Sequence, residues 1–159
     1  RGPVFKYDDN IDTDVIIPAR YLNTQSHKEL ASHCMEDIDK DFIHRVKDGD
    51  IMVGGWNFGC GSSREQAPEI IKALGISCVI AKSFARIFFR NSINNGLLLI
   101  EQPDLHDDIK EGDTITVKMN EHVDYNGKTY PIAALPENLM DIIQAGGLVK
   151  AMRKRNGLD

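Results

Sequence analysis

The sequence predicts an α/β fold with a single domain over residues 1–159. Between residues 51 and 100, short apolar runs typical of buried strands alternate with stretches of helical length and periodicity. After Gly112, alternating polar and apolar residues replace this pattern and surround Asn126-Gly127, a dipeptide typical of a tight hairpin. No internal repeat or low-complexity linker divides the chain, so one compact unit is expected.

The elements expected in the first fifty residues are short. They are two strands over residues 4–7 and 15–17, followed by two helices over residues 27–35 and 40–46. Pro18 should end the second strand, because proline has no backbone N–H to donate to a sheet. Ser26 and Asp39 are the expected N-caps of the two helices.

The central part of the chain repeats a strand–helix unit. The predicted strands cover residues 51–53, 78–81 and 97–100, and the predicted helices cover residues 63–74 and 83–94. Ser83 is expected to cap the second helix, and Gly75 and Asn95-Gly96 to end the two helices. Strands joined by helices pack side by side in right-handed βαβ units, so a parallel sheet is expected here.

The pattern of residues in the last third of the chain predicts a β/β/α arrangement. A strand over residues 114–118 leads into the hairpin about Asn126-Gly127. A helix should open at Pro136 and run through Gln144, with a basic tail helix beyond Gly147.

Composition excludes two broad classes of function. The net charge of −5 disfavours a nucleic-acid binder, and no apolar run is long enough to span a bilayer. One basic cluster falls in the C-terminal tail, where a solvated surface is expected: Lys150, Arg153, Lys154 and Arg155. The cysteines are odd in number and lack C-x-x-C spacing, and no signal-peptide pattern begins the chain, so a cytoplasmic location is expected.

The segment from Gly59 to Glu65 is the strongest candidate site. It follows a predicted strand and opens a predicted helix, so its backbone N–H groups favour an anion. Arg64 can grip a carboxylate through two parallel hydrogen bonds, and Ser62 or Ser63 offers a hydroxyl at the same point. A capping box formed by Ser62 and Glu65, or by Ser63 and Gln66, is the purely structural alternative.

Other catalytic motifs fail on spacing. No Lys-Ser/Thr pair follows the glycines to make a phosphate loop, and there is no G-x-S-x-G elbow. Ser63 stands where a papain-like protease needs its cysteine. The five histidines form no convincing ligand set, so no metal is expected to bind this chain.

Two longer motifs carry a resemblance to a known family. The run Asn57-Phe58-Gly59-Cys60-Gly61-Ser62-Ser63-Arg64-Glu65, followed by Ala81-Lys82-Ser83-Phe84-Ala85-Arg86-Ile87, closely resembles the swivelling domain of the aconitase superfamily. Asp12-Thr13-Asp14-Val15-Ile16-Ile17-Pro18 and Tyr21-Leu22 resemble motifs of the isopropylmalate isomerase small subunits. The resemblance implies a swivelling β/β/α domain with a central mixed sheet or barrel-like core flanked by helices.

The resemblance also implies a division of labour between two subunits. In the family, a large subunit carries a [4Fe–4S] cluster and a small subunit closes the active site over a small di-acid substrate. This chain lacks the spaced cysteines of a cluster and is expected to bind no cofactor itself. The implied activity is isomerisation of 2- and 3-isopropylmalate by dehydration and rehydration in leucine biosynthesis.

Residue roles follow from the same resemblance. It makes Ser62 the catalytic base, with Gly61, Ser63, Arg64 and Asp14 at the substrate. Asn23 and Thr24 fall in the loop that selects the substrate, where an uncharged pair favours an apolar branch over a third carboxylate. Cys60, as a wall of the pocket, and Arg86, facing substrate or partner, are further candidates. An Asx-type turn at Asp14 and a surface salt bridge at Arg86 are the structural alternatives.

Alternatives from two classes stay open at the level of function. Citramalate or dimethylmalate dehydratases and homoaconitase share the same catalytic parts. A stand-alone carboxylate-binding or RNA-regulatory module is the alternative from another class. The acidic composition and the lack of a basic face with interleaved aromatics disfavour RNA.

Overall fold

The computed structural model describes residues 2–18, 20, 27–36, 38–61, 66–118, 121–132 and 137–145. Its strands are β1 (Gly2–Lys6), β2 (Ile51–Gly54), β3 (Cys78–Ala81), β4 (Leu98–Glu101), β5 (Thr114–Lys118), β6 (His122–Tyr125) and β7 (Lys128–Pro131). Its helices are α1 (Thr13–Ile16), α2 (His27–Ala31), α3 (Phe42–Arg45), α4 (Gln66–Ala73), α5 (Arg86–Asn94), α6 (Leu105–Asp108) and α7 (Glu137–Ala145).

The strands of the described ranges form one mixed sheet in the order β4-β3-β2-β1-β5-β6-β7. β1 to β4 are parallel, and Ile51 lies opposite both Val4 and Cys78 in the register. β5 pairs antiparallel with β1 and continues through β6 and β7. The sheet curls into a half-barrel with flanking helices, so the predicted α/β fold with a mixed, barrel-like core is confirmed.

The parallel strands are buried on both faces. Val4, Ile51 and Cys78 lie in one register row and belong to the core that α6 and the antiparallel strands cover. Phe5 and Met52 lie in the next row and belong to the core under α1 to α5. Full burial of one such apolar side chain contributes about 1.5–3 kcal/mol, which explains the continuous apolar runs that predicted β2 and β3.

The strand predicted over residues 15–17 is wrong, because α1 occupies residues 13–16. Asp12 caps this helix: its Oδ1 accepts a hydrogen bond from the backbone N of Val15 at 2.8 Å. The β-branched run suggested a strand, but the cap and the complete burial of Ile16 and Ile17 favour a helical turn. Pro18 therefore follows a helix, and Ile17 before it is extended, as a residue preceding proline prefers.

Two predicted N-caps are also wrong. α5 begins at Arg86 after Ala85, which has no side-chain cap, and Ser83 lies before the helix. α3 begins at Phe42, and the Asp39 carboxylate accepts hydrogen bonds from Tyr7 and Arg45 instead of capping it. Ser26 and Pro136, the other predicted helix starts, lie outside the described residues, as does the basic tail.

The helix α6 falls where the sequence predicted no element, whereas the hairpin lies where it was predicted. α6 is only four residues long, and its first N–H groups are bound by Oε1 of Gln102, a residue upstream of the helix. A helix of this length is too short to produce a recognisable hydrophobic periodicity in the sequence. The hairpin turn lies where expected: Asn126 and Gly127 have φ of 51° and 80° and connect β6 to β7.

Candidate functional site

The loop that follows β2 crosses the carboxyl edge of the parallel strands. Its backbone enters the left-handed region at Asn57, Gly59 and Gly61, with φ of 57°, 84° and 91°. At Gly59 a side chain would meet the ring of Phe88, so packing as well as φ demands glycine there. At Gly61 a Cβ would lie 3.3 Å from Cβ of Asp12, and the requirement there is mainly for positive φ.

Most glycines of this loop are required by packing within the protein. Side chains at Gly54 and Gly55 would meet the Phe58 ring and the Asp9 carboxylate. Internal packing therefore accounts for these glycines and for Gly59 without a ligand. Gly61, which leads into Ser62, is the member of the cluster with the least crowded environment.

The segment before α1 binds this loop through its backbone. Asn10 N donates to Trp56 O at 2.8 Å, Gly59 N donates to Ile11 O at 2.7 Å, and Thr13 N donates to Cys60 O at 2.9 Å. These three bonds hold residues 10–13 alongside residues 56–60, as a short ladder would. They bring Asp12 and Thr13 next to Gly61, so two motifs distant in the sequence meet at one edge of the sheet.

The segment before α5 binds the loop from the other side. Asn57 N donates to Ser83 Oγ at 2.8 Å, Phe58 N donates to Ser83 O at 3.0 Å, and Ala85 N donates to Phe58 O at 3.0 Å. Phe58 and Phe84 form an isolated parallel bridge at this point. Ser83 is thus a hydrogen-bond acceptor for the loop, and its predicted role as a helix cap is replaced by this one.

Three aromatic rings form an apolar layer beneath the loop. The Phe58 ring is fully buried, and its centroid lies 5.9 Å from that of Phe84 and 5.6 Å from that of Phe88. Aromatic pairs at such distances contribute about 0.5–1.5 kcal/mol beyond their buried area. The layer supports the loop backbone from one side.

The structure describes four of the predicted site residues. Gly61 and Cys60 lie at the end of the loop, Asp14 is exposed in the first turn of α1, and Arg86 is exposed at the start of α5. All four lie in the loop or in helices whose preceding segments bind it. The other predicted residues lie outside the described part of the chain: Ser62, Ser63, Arg64, Asn23 and Thr24.

Asp12 is a site feature that the sequence analysis did not single out by itself. Burial first, and then the negative charge of Asp12, raise the pKa of the Cys60 thiol. Cys60 is therefore protonated near neutral pH and is a poor nucleophile, as expected for a wall of the pocket. The signal that could have found Asp12 is its position three residues before Val15, which is N-cap spacing.

The described residues do not fit an iron–sulfur cluster. Cys34 and Cys78 are buried in the cores on opposite faces of the sheet, far from sharing a site with Cys60. Burial raises the pKa of Cys78 to about 12, which disfavours the thiolate that a metal needs. Among the described residues no group of three or more His, Cys, Asp or Glu side chains could hold a metal ion.

Membrane insertion through helices finds no support in the same part of the chain. None of the helices described there is both long enough and apolar enough to cross a bilayer.

Comparison with known families first defines the class. The family described as aconitase C-terminal domain matches residues 10–105, a range that contains the loop and both segments that bind it. A crystal structure of 3-isopropylmalate dehydratase from Methanocaldococcus jannaschii superposes with a TM-score of 0.92 at 48% identity, covering 99% of this chain and 95% of that one. The chain belongs to the aconitase C-terminal domain family.

Full-length relatives narrow the comparison. A protein of Lachnospira eligens named 3-isopropylmalate dehydratase small subunit is 62% identical over 158 residues, which are 99% of this chain and 96% of the relative. A protein of Helicobacter hepaticus with the same name is 56% identical over 158 residues, 98% of this chain and 96% of the relative. The expected similarity to the isopropylmalate isomerase small subunits is confirmed.

Proposed function

We propose that this chain is the small subunit of a 3-isopropylmalate dehydratase. With its large subunit it interconverts 2-isopropylmalate and 3-isopropylmalate by removing and re-adding water, a step of leucine biosynthesis. Identity of 54–62% over nearly the whole length to relatives of that name carries the proposal. The loop at the sheet edge supports it, because the segments around Asp12 and Ser83, which belong to the motifs of the resemblance, both bind that loop.

Ser62 is the base in this proposal. It follows Gly61 directly and precedes α4, so the backbone N–H groups of the glycine turn and of the helix start are suited to stabilise its deprotonated oxygen. Ser62 takes the proton from the carbon next to a substrate carboxylate. The electrons of that C–H bond form the double bond as the hydroxyl leaves, and re-addition of water at the neighbouring carbon completes the isomerisation.

The remaining proposed roles concern binding. Arg64 holds a substrate carboxylate through a bidentate pair, and Ser63 donates a hydrogen bond beside it. Asp14, exposed on α1 next to the loop, orients the substrate or a basic neighbour. Asn23 and Thr24 provide an uncharged surface for the isopropyl branch, because a third carboxylate there would lack a partner and cost several kcal/mol.

The large subunit completes the site. We assign to it the [4Fe–4S] cluster, which supplies a Lewis acid for the departing hydroxide. The described part of this chain offers no ligand set for such a group. Three free cysteines suit a reducing compartment, and we place the enzyme in the cytoplasm.

A substrate panel tests the proposal. The chain is reconstituted with the cluster-loaded large subunit and assayed with isopropylmalate, citramalate, 2,3-dimethylmalate and homocitrate. The highest kcat/KM is expected for isopropylmalate. A higher kcat/KM for one of the other three would reassign the substrate while keeping the hydro-lyase chemistry, and turnover by this chain alone would overturn the two-subunit proposal.

A further inference from the structure

The His106 imidazole on α6 has one ring nitrogen bound and the other buried without a partner. Its Nε2 lies 2.6 Å from the backbone carbonyl oxygen of Tyr7. A carbonyl oxygen only accepts, so Nε2 carries the proton and donates this bond. Among the described residues Nδ1 is shielded from water and has no hydrogen-bond partner. Oδ1 of Asp107 lies 3.7 Å from Nδ1, but two acceptors do not bind each other unless Nδ1 takes up a proton.

The same carboxylate oxygen of Asp107 binds the Lys82 ammonium. Lys82 Nζ lies 2.7 Å from Oδ1 of Asp107, and the Lys82 side chain is only 13% exposed. Lys82 first, and then His106, hold the pKa of the Asp107 carboxyl below its usual range, so this group stays negatively charged at neutral pH. A protonated His106 would therefore share one negative charge with Lys82.

Lys82 contacts the loop that follows β2 through its side chain and its backbone. Its ammonium lies 5.6 Å from the centroid of the Trp56 ring, and its backbone N donates to Gly55 O at 3.1 Å. A cation over the face of an indole ring is attracted to it. Ser83, the next residue, accepts a hydrogen bond from Asn57 N. The position of Lys82 is therefore coupled to the first three residues of the loop.

The Nε2 bond connects His106 to the same loop by a second route. Tyr7, whose carbonyl it binds, donates its own N–H to Val53 O at 2.8 Å. Two residues later, Oδ1 of Asp9 accepts from Trp56 N at 2.8 Å. One side chain on α6 thus reaches both segments that hold Trp56.

The charged surroundings of the imidazole direct the effect of a proton toward Asp107. In the part of the chain that the structure describes, Asp107 is the carboxylate within ion-pairing distance of His106, and Lys82 at the end of β3 lies beyond it. From β1 the ring meets a backbone carbonyl. Asp108, also on α6, accepts a hydrogen bond from the Tyr130 hydroxyl at 2.7 Å. Protonation of His106 therefore acts on Asp107 and, through it, on Lys82.

We infer that His106 is a positioning residue whose protonation state sets how firmly the loop at Trp56 is held. With a neutral imidazole, the Asp107 carboxylate binds Lys82 alone, and Lys82 stays against the Trp56 ring. A proton on Nδ1 makes His106 a second donor to Asp107, so Lys82 and the loop are held less firmly. The catalytic consequence rests on the proposed function, in which this loop leads to the base.

The fluorescence of Trp56 tests the inference directly, because the sequence contains one tryptophan. Emission of the purified chain is followed from about pH 8 to about pH 5, the range in which histidines change charge. Movement of the Lys82 ammonium relative to the ring should give a transition with the same midpoint as the His106 ring resonances in NMR spectra. His106→Gln keeps an N–H for the Tyr7 carbonyl but cannot take up the proton, so the transition should be lost.

Two further variants make the test specific. Asp107→Asn removes the charge between the two cations and should also abolish the transition. His122→Gln is the matched control, because the His122 ring also lies near a carboxylate, 3.2 Å from Asp124, but on the antiparallel hairpin. It should leave the transition unchanged. Circular dichroism at each pH identifies any variant that fails to fold. A transition that persists in folded His106→Gln, or no transition in wild type, would overturn the inference.

Steady-state kinetics of the reconstituted pair provide the catalytic readout. Wild-type kcat should fall as pH decreases through the midpoint of the Trp56 transition, whereas His106→Gln should lack this inflection with KM near the wild-type value. Coincident kcat profiles for wild type and variant would overturn the positioning role. Failure of the proposed function looks different: isopropylmalate would not be turned over at any pH, yet the fluorescence transition and its loss in His106→Gln would remain.

Discussion

Gly61 controls the direction in which the chain leaves the loop toward the proposed base. Its φ of 91° lies in a region that costs an ordinary L-residue about 1–2 kcal/mol. Gly61→Ala should lower the free energy of unfolding by about that amount. It should also lower kcat by at least about 10-fold, because a shift of the reacting group of around 1 Å can cost about 100-fold.

Gly127→Ala is the control for this variant. Gly127 has φ of 80° in the exposed hairpin turn and no atom near its Cβ position, so the strain is similar and the site is remote. Chemical denaturation and steady-state kinetics of the two variants separate strain from catalysis. Equal kcat in both would show that the turn at Gly61 does not position the base.

Substitutions of Ser62 and Arg64 should change the kinetic constants differently, because Ser62 is proposed to move a proton and Arg64 to bind a carboxylate. Ser62→Ala should lower kcat about 10²–10⁴-fold with little change in KM, the range typical of a lost general base. Arg64→Lys should raise KM as well, since lysine cannot reproduce the bidentate fork. Steady-state kinetics of the reconstituted pair provide the comparison. If Ser62→Ala kept near-normal kcat, Ser63 or a partner residue would have to be the base.

Asp12 affects the reactivity of Cys60 through its charge. Because that charge helps to raise the pKa of Cys60, Asp12→Asn should lower this pKa and increase the thiolate fraction at a given pH. Asparagine caps a helix as well as aspartate does, so α1 should persist. The rate of alkylation by iodoacetamide, followed against pH, should therefore rise at lower pH than in wild type. Asp41→Asn, at the exposed residue that precedes α3, is the control. Coincident pH profiles for Asp12→Asn and wild type would contradict the prediction.

At the scale of elements, a substitution at Ser83 tests whether this residue caps α5 or accepts hydrogen bonds from the loop. Ser83→Ala removes the Oγ that accepts from Asn57 N, which should cost about 0.5–1.5 kcal/mol. Amide hydrogen exchange should become faster at Asn57 and Phe58 while α5 keeps its protection. Faster exchange confined to the first turn of α5 would instead support the capping role that the sequence suggested.

The elements that the sequence predicts correctly are those whose burial leaves a local pattern. β2 and β3 are apolar runs that follow glycine turns at Gly49 and Gly75, and the Asn126-Gly127 turn has a specific backbone requirement. The segment at Val15 misleads because its β-branched residues are buried in a capped helical turn. The acceptor for Asn57 N depends on a contact with Ser83, distant in sequence, and no local pattern contains it.

At the scale of the whole molecule, the candidate site is an edge that needs a second surface. The purified chain should be colourless and catalytically silent, because its described cysteines share no site and its loop lies at the surface. Absorption spectra and assays before and after addition of the large subunit check this. Activity should appear only on mixing and should saturate with the large subunit.

For the candidate site too, the sequence predicts local motifs but not contacts between distant segments. The motif from Gly59 to Arg64 and its position after a strand could be read from the sequence, and so could the resemblance that assigns Ser62 its role. The ladder from residues 10–13 could not. It depends on which strand lies beside β2, and this is a property of the assembled sheet.

The position of β1 in the sheet has a consequence for the order of folding. The strands β2, β3 and β4 follow one another in the chain and are joined by helical connections. In contrast, β1 at the centre of the sheet pairs with β5, which lies far from it in the sequence: Gly2 is opposite Ile115. Closing the longer loop costs more chain entropy and is slower, so the parallel strands β1 to β4 can associate before β5 pairs with β1. Because residues 10–13 follow β1 directly and bind residues 56–60, the edge that carries the candidate site can form only once β1 lies beside β2.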